Sequence, residues 1–394
     1  MSSRPLPKAA IAGFVLIVAA SAVLLWRGAP SSTDGAAGAA GTGASAAAGA
    51  TARGKGPNGT AGETAAPQQK QPPREQIPMP GCWEGTLAFD QSASLDTFRA
   101  ALAEAVAAKD RHLATYLQDR LTELVGSDAG KALQVLEWAK DASQPHLGVY
   151  MEAIKATEAV HNPAVAEQLL KMGEDKGSPL LNRAAALDTL ETQRKLSPAA
   201  IQRLKAIAMD ETVDSVAWVA TRTMGRVMKE DFERTGTYSP YWKELLDIGG
   251  KSEDMAVRLL ALEMPSYSNP ILDGASIDKL SEVLRKDRER DVREMAAFRM
   301  AVTEEPQKAL EAYKAAFETE QDLCVRWAMM RFAVRAAGAD ALPVLRQFAV
   351  KEPRLQQDYD EFKELYAAGT VDFARVWLGK KEHHDCLMEE GAPH

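Results

Sequence analysis

Apolar residues at helical spacing are the feature that most limits the possible fold of this chain. From about Ser94 onward they recur every three or four residues, first at Leu95, Phe98, Leu102 and Val106, then at Leu113, Leu117, Leu121 and Leu124. This spacing places apolar side chains on one face of a helix, and strand-like alternation is absent. About sixteen helices of roughly 10–17 residues are predicted between Ser94 and Leu378. The chain is therefore expected to be all-α.

Prolines mark several of the predicted helix starts. A capping residue precedes a first-turn proline at Asn162-Pro163, Ser178-Pro179, Ser197-Pro198 and Ser239-Pro240, and Glu305-Pro306 and Glu352-Pro353 follow the same pattern. Such pairs are typical of helix N-termini because proline needs no amide partner there. Sixteen short helices do not fit a single bundle, so stacked helix pairs are expected.

A repeat in the predicted second helices supports stacked pairs. Aligning Arg183, Trp218, Arg258, Arg293 and Arg326 gives intervals of 35, 40, 35 and 33 residues. Four of these helices open with related motifs, which read Pro179-x3-Arg183-x2-Ala186, Val257-Arg258-x2-Ala261, Val292-Arg293-x2-Ala296 and Val325-Arg326. In period and motif the chain resembles the HEAT repeats. The resemblance covers residues 145–340 and extends to 94–378 by helix periodicity.

The HEAT resemblance implies a right-handed α-α superhelix. In that family the second helices line a concave surface that binds proteins, so a protein or peptide partner is the expected ligand. Trp218, Arg258, Arg293 and Arg326 are the candidate partner-binding residues. The family does not imply a particular substrate.

Two roles are open for the arginines. Each follows an acid by four residues, a spacing that allows a local ion pair. One group per repeat would then form a structural ladder between neighbouring helix pairs, or else a row of guanidinium groups that receives a partner's carboxylates. Trp218 is either an exposed anchor or a core residue. The three acid–base pairs are Asp254/Arg258, Glu289/Arg293 and Asp322/Arg326.

The N-terminus predicts a membrane anchor. Residues 9–26 are 18 consecutive uncharged residues, preceded by Arg4 and Lys8. As a helix they span about 27 Å, close to the ~30 Å hydrocarbon core of a bilayer. The basic flank favours a cytoplasmic stub at residues 1–8 and everything after the anchor outside the cytoplasm, in the periplasm of a bacterium. The alternative is a secreted protein cleaved near Ala20-Ser21-Ala22.

Amino-acid composition distinguishes a linker, a folded domain and a tail in the rest of the chain. Of the 50 residues 28–77, 37 are Gly, Ala, Ser, Thr or Pro, so residues 27–91 are predicted to be a disordered linker. A helical-repeat domain is expected at residues 92–380 and a flexible tail at residues 381–394. The whole chain carries 47 Lys and Arg against 55 Asp and Glu, a net charge of −8, which disfavours nucleic acid as a partner.

No catalytic constellation is found, so an enzyme is not expected, and no cofactor or metal is predicted. The chain has no G-x-S-x-G, H-E-x-x-H or C-x-x-C motif. Glu158-x-x-His161 occurs once where a di-metal bundle needs two copies. His383 and His384 are adjacent, without the spacing of common zinc sites.

The three cysteines leave several pairings open. Cys82 precedes the predicted array and Cys386 follows it, so a disulfide between them would join its two ends in an oxidising compartment. Cys324 falls in an apolar helical stretch and is expected to be a buried structural thiol. Free thiols, an intermolecular bond and a metal role are the alternatives for the other two.

Three classes of function follow. The preferred one is a membrane-anchored extracytoplasmic scaffold that binds a protein or peptide partner. An enzyme on a helical-repeat scaffold, such as a lyase, is the second, and the missing acid–base pair counts against it. A structural spacer or oligomerisation element is the third.

Overall fold

Sixteen α-helices account for the regular structure in the computed structural model, which describes residues 94–210, 214–264 and 272–369 together with Cys386. All of these residues belong to one unit of the chain, residues 93–394. Outside the helices and three short 3-10 turns, the described residues contain one isolated parallel bridge, between Leu272 and Thr303. The predicted all-α class is confirmed.

The helices are numbered here in chain order. They are α1 Leu95–Ala107, α2 Arg111–Val125, α3 Ala129–Ala139, α4 His146–Lys155, α5 Pro163–Glu174, α6 Leu180–Leu190, α7 Pro198–Ala208, α8 Asp214–Thr235, α9 Ser239–Lys251, α10 Met255–Glu263, α11 Gly274–Lys286, α12 Arg290–Met300, α13 Pro306–Phe317, α14 Leu323–Ala337, α15 Leu342–Lys351 and α16 Gln356–Ala367. The 3-10 turns are Glu158–His161, Gly338–Ala341 and Pro353–Leu355.

Two of the four predicted proline caps are confirmed. Asn162 Oδ1 accepts a hydrogen bond from the Ala164 amide, and Ser197 Oγ accepts one from the Ala200 amide. Ser178 instead bonds the Asp175 carboxylate, and Ser239 is already the first residue of α9. Those two predictions are wrong. The Ser178 hydroxyl bonds a nearby carboxylate instead of a helix amide, and at Ser239 the helix begins one residue earlier than the Ser-Pro pair predicts.

The helices pack in consecutive pairs, from α1 with α2 to α15 with α16. The second helices of successive pairs, α2 to α14, each contact the next second helix, and the first helices from α3 to α15 do the same. The result is two layers of helices with an apolar core between them. Leucine, alanine, valine and methionine side chains supply most of that core.

Ion pairs also link neighbouring helices in the layer of first helices. Lys205 on α7 binds Glu244 and Asp247 on α9, at 2.5 and 2.7 Å, and Lys279 on α11 binds Asp247 at 2.9 Å. Burial alone would lower the pKa of Lys205, but its two carboxylate partners outweigh burial and raise it. Neighbouring pairs are therefore joined by charge as well as by apolar contact.

Several predictions fall on other parts of the chain. The expected cytoplasmic stub (1–8), anchor (9–26) and linker (27–91) lie outside the described residues, as does the expected tail (381–394) apart from Cys386. None of the helices in the described ranges is both long and apolar enough to span a bilayer.

Candidate functional site

Arg258, the first of the three candidate arginines, is buried at the start of α10. Its Nε and Nη2 donate to Asp287 Oδ2 and Oδ1 at 2.9 and 3.1 Å. Its Nη1 donates to the backbone carbonyls of Ser252 and Glu253. Asp287 directly follows α11, the first helix of the next pair, so this guanidinium group joins two helix pairs.

The other two arginines repeat this arrangement. On α12, Arg293 Nε and Nη2 donate to Glu320 Oε2 and Oε1 at 2.7 and 3.2 Å. On α14, Arg326 Nη1 donates to Glu352 Oε2 at 2.8 Å, and its guanidinium carbon lies 5.2 Å from the centre of the Phe317 ring. Glu320 and Glu352 each lie just after the first helix of the next pair. The three contacts form one ladder.

The acids that bind these arginines are not the ones four residues upstream. Asp254 and Asp322 instead cap α10 and α14, and their carboxylates accept hydrogen bonds from backbone amides. Glu289 takes the N-cap position of α12 without a side-chain cap bond. The expected local pairs are wrong. The carboxylates of Asp254 and Asp322 satisfy free helix amides and leave the arginines for more distant acids, and that of Glu289 lies 3.5 Å from Arg288 instead.

The three paired arginine side chains have little exposure to solvent. The side chains of Arg258, Arg293 and Arg326 are 5%, 15% and 14% exposed. Arg183, at the equivalent position of α6, is buried and donates from Nε to the Gly173 carbonyl. Of the two roles open from the sequence, these contacts fit the internal ladder rather than an exposed row.

Trp218 lies at the solvent-facing side of the second-helix layer. It is half-buried on α8, on the same face as Ser215 and Arg222, while the opposite face of α8 is buried. The guanidinium carbon of Arg222, one turn further along, lies 5.2 Å from the centre of the Trp218 ring. Trp218 is thus neither a core residue nor fully exposed. Its contact with Arg222 could have been predicted, because residues four apart lie on the same face of a helix.

An ionic network extends from Arg222 across three second helices. Arg222 on α8 binds Asp188 on α6 and Glu191, and Lys155 on α4 binds the same two carboxylates at 2.9 and 3.2 Å. Burial alone would lower the pKa of Lys155, but the Asp188 and Glu191 carboxylates outweigh burial and raise it. The surface next to Trp218 is therefore held in a fixed arrangement.

A second aromatic residue on this layer was missed by the sequence analysis. Phe298 on α12 is half-buried, and its ring packs edge-on against Phe332 of α14 at 5.3 Å. The guanidinium carbons of Arg299 and Arg335 lie 5.6 and 5.0 Å from the centre of the Phe298 ring. Nothing in the repeat alignment distinguishes Phe298 from a core residue, so its partial exposure follows only from the packing.

The disulfide in the structure joins Cys324 to Cys386. This bond contradicts the possible Cys82–Cys386 pairing and the expected free thiol at Cys324, because a sulfur atom forms only one disulfide. Cys82 lies outside the described residues. Cys324 is half-buried at the start of α14, and Cys386 is 5% exposed. Sequence alone could not choose between two partners for Cys386.

Three clustered groups with metal-binding potential, Glu294, Asp322 and Cys324, have other partners. The ligand atoms of Glu294, Asp322 and Cys324 lie within 4.8 Å of one another. However, the cysteine is in the disulfide, Asp322 caps α14, and Glu294 lies 3.3 Å from Arg290. Glu158 and His161 bound one 3-10 turn, and the Glu158 carboxylate lies 3.7 Å from Arg194.

One open depression lies at the surface of the last helix pair. Its volume is about 510 Å³, and it is lined by Leu342, Pro343, Arg346, Gln347 and Tyr359. These lining residues include one cation, Arg346, and one tyrosine, Tyr359, and no carboxylate.

Comparison with known proteins finds no matching family model and no matching curated protein.

Proposed function

We propose that this protein is a membrane-anchored, extracytoplasmic helical-repeat scaffold that binds a protein or peptide partner. In this proposal the helix pairs form a right-handed superhelix, residues 9–26 hold it at the inner or plasma membrane, and residues 27–91 are its tether. The second helices provide the binding surface.

The half-exposed aromatic residues on the second-helix layer are the observation that supports this function best. Trp218 and Phe298 each combine a partly exposed ring with a guanidinium group within 6 Å of its centre. Tryptophan and arginine are enriched among the residues that dominate binding energy at protein interfaces. Trp218 is therefore assigned to partner contact, whereas Arg258, Arg293 and Arg326 are assigned to holding the helices beneath it.

The fixed neighbours of Trp218 also favour a binding role. A side chain held by an existing network loses little conformational entropy when a partner binds. The Lys155–Asp188–Arg222 contacts supply such a network, and they would be formed before the partner arrives. A spacer needs only length, and would gain nothing from an aromatic side chain kept partly in solvent.

Site-specific crosslinking in cells tests the surface. A photo-crosslinking amino acid replaces Trp218 or Phe298 on second helices, and Lys243 or Glu282, exposed on first helices, in the controls. We expect one and the same protein to be captured from the two second-helix positions and neither control. Equal capture from all four positions would contradict the proposed surface, and capture from none would favour the spacer.

A reporter fusion tests the location. A periplasm-dependent reporter placed after Lys70 should be active, and a cytoplasm-dependent reporter at the same place should not be. Alkaline carbonate extraction then separates an anchored protein, which stays in the membrane pellet, from one released by cleavage. Activity of the cytoplasm-dependent reporter alone would contradict the proposed topology.

A further inference from the structure

Arg299 differs from the ladder arginines because it is buried without a partner. Its residue exposure is 2%, and it forms no hydrogen bond or ion pair in the part of the chain that the structure describes. Both its Nε and its Nη2 are covered and unsatisfied. A buried guanidinium group whose donors make no hydrogen bond is strongly unfavourable, so such a group in a folded protein requires an explanation.

The unsatisfied atoms are the pair that binds carboxylates elsewhere in this protein. Arg258 uses Nε and Nη2 to hold Asp287, and Arg293 uses the same two atoms to hold Glu320. On α7, Arg203 holds Glu174 in this way as well. Arg299 thus holds, covered by its neighbours and with no acceptor, the edge that fits a carboxylate in bidentate fashion.

A second cation lies beside this edge. Arg335 on α14 is exposed and makes no ion pair within the described ranges, and its guanidinium group lies against the same Phe298 ring as that of Arg299. Burial first, and then repulsion by Arg335, lower the pKa of Arg299 to about 10, against the opposing effect of the Glu263 carboxylate. Arg299 therefore stays charged at neutral pH, beside the second guanidinium group of Arg335.

We propose that Arg299 and Arg335 form a binding site for a carboxylate group of the partner protein, with Phe298 beside it. This inference rests on the proposed function, since it names the chemistry by which the partner is recognised. The carboxylate would be enclosed on binding, as those of Asp287 and Glu320, each 8% exposed, are in the ladder. Phe298 and Arg335 are neighbours of Arg299 that reach solvent, so the carboxylate would approach from their side.

The stability of the full-length protein in detergent gives the first test. We expect Arg299→Met to keep or raise the melting temperature, because it removes an unpaired buried charge and retains the volume. The matched control Arg293→Met removes a paired guanidinium group and should lower the melting temperature. An equal fall in both variants would show that Arg299 is structural and would overturn the proposal.

A titration gives the second test. At constant ionic strength, sodium acetate should raise the melting temperature of the wild-type protein in a saturable way. Arg299→Met should abolish this response, and Arg335→Met should raise the half-saturating concentration by about tenfold, the loss of one charged contact. No saturable response in the wild type, or an unchanged response in Arg299→Met, would overturn the proposal.

Two further measurements distinguish a partner's carboxylate from a phosphate ligand and from an internal carboxylate. A response to sodium phosphate without one to acetate would overturn the carboxylate assignment. If Glu263 is the internal partner of Arg299, Glu263→Gln should lower the melting temperature as Arg293→Met does, which would also overturn it. None of these measurements needs the partner, so failure of the crosslinking experiment and failure of this site can be told apart.

Discussion

Arg293 and Glu320 form a bidentate ion pair between neighbouring helix pairs, with Nε–Oε2 and Nη2–Oε1 distances of 2.7 and 3.2 Å. The two residues are 27 positions apart, and each comes from a different helix pair. Arg258 with Asp287 repeats the bidentate contact, and Arg326 with Glu352 makes a related link through a single hydrogen bond. A position that the sequence made a candidate for partner binding therefore links one helix pair to the next.

Arg258→Met tests this ladder at its most buried step. The substitution leaves the Asp287 carboxylate buried without a counter-charge, so we expect the free energy of unfolding to fall by about 3–5 kcal/mol. Chemical denaturation measures it. Arg288→Ala is the control, because Arg288 is 63% exposed and its pair with Glu253 is on the surface, where a loss below about 1 kcal/mol is expected. Similar small losses in both variants would contradict a stabilising ladder.

Because Cys324 and Cys386 form a disulfide, we expect reduction to lower the stability of the protein strongly. It closes a loop with a sequence separation of 62, so its loss should cost about 4 kcal/mol on the chain-entropy estimate. We expect Cys324→Ser and Cys386→Ser to lower the melting temperature equally, and reduction of the wild type to reproduce them. Peptide mapping without reductant should link the peptides of Cys324 and Cys386. A peptide that links Cys82 to Cys386 would contradict the structure.

The lowered pKa of the Glu352 carboxyl leads us to expect a loss of stability in acid. Hydrogen bonds from Arg354, and then from Arg326, hold the pKa of its carboxyl at about 2, against the opposing effect of burial. Because the folded pKa lies below the ordinary value of 4.5, the stabilisation is complete above that pH and is lost as the pH falls toward 2. Glu352→Gln should remove up to about 3 kcal/mol of this pH dependence.

The measurement is the free energy of unfolding between about pH 5 and pH 2, taken for Glu352→Gln, the wild type and a control. Glu364→Gln, which changes an exposed glutamate of α16, is the control and should follow the wild-type curve. If the Glu352→Gln curve ran parallel to the wild type throughout this range, the proposed coupling to Arg354 and Arg326 would be wrong.

Adjacent glycines on α9 should respond in opposite ways to alanine. A Cβ at Gly249 would lie 2.6 Å from Leu262 Cδ2 on α10, whereas one at exposed Gly250 would lie 3.4 Å from Val283 Cγ2. We expect Gly249→Ala to cost about 1–3 kcal/mol through overpacking. Gly250→Ala should be neutral or gain up to about 1 kcal/mol in helix propensity. Equal effects in thermal denaturation would contradict the close contact of α9 with α10.

Local patterns in the sequence were sufficient to predict most of the helices. Helical periodicity located the helices, and Asn162 and Ser197 cap them as expected because a cap is decided within three residues. The partners of Arg258 and Cys386 could not be predicted in this way. Asp254 and Asp287 are both acids close to Arg258 in the sequence or the fold, and only the packing of α11 against α9 and α12 places the second one beside it.

The candidate site was predictable in part for the same reason. Trp218 was identified from its place in the repeat, and it lies at the outward side of α8. Arg299 could not have been identified, because its sequence neighbours resemble those of the paired arginines. Whether an arginine has an acidic partner depends on tertiary packing, which the local sequence does not show.

The most direct test of the central claim compares Trp218→Ala with Arg293→Ala in one capture experiment. Partner capture and melting temperature are measured on the same preparations, at a temperature where both variants are folded. We expect Trp218→Ala to lose capture, and Arg293→Ala to have a lowered melting temperature with capture intact, because one residue faces the partner and the other holds the helix layer. Loss of capture in Arg293→Ala with an unchanged melting temperature would instead make the arginines the binding row, and would contradict this account.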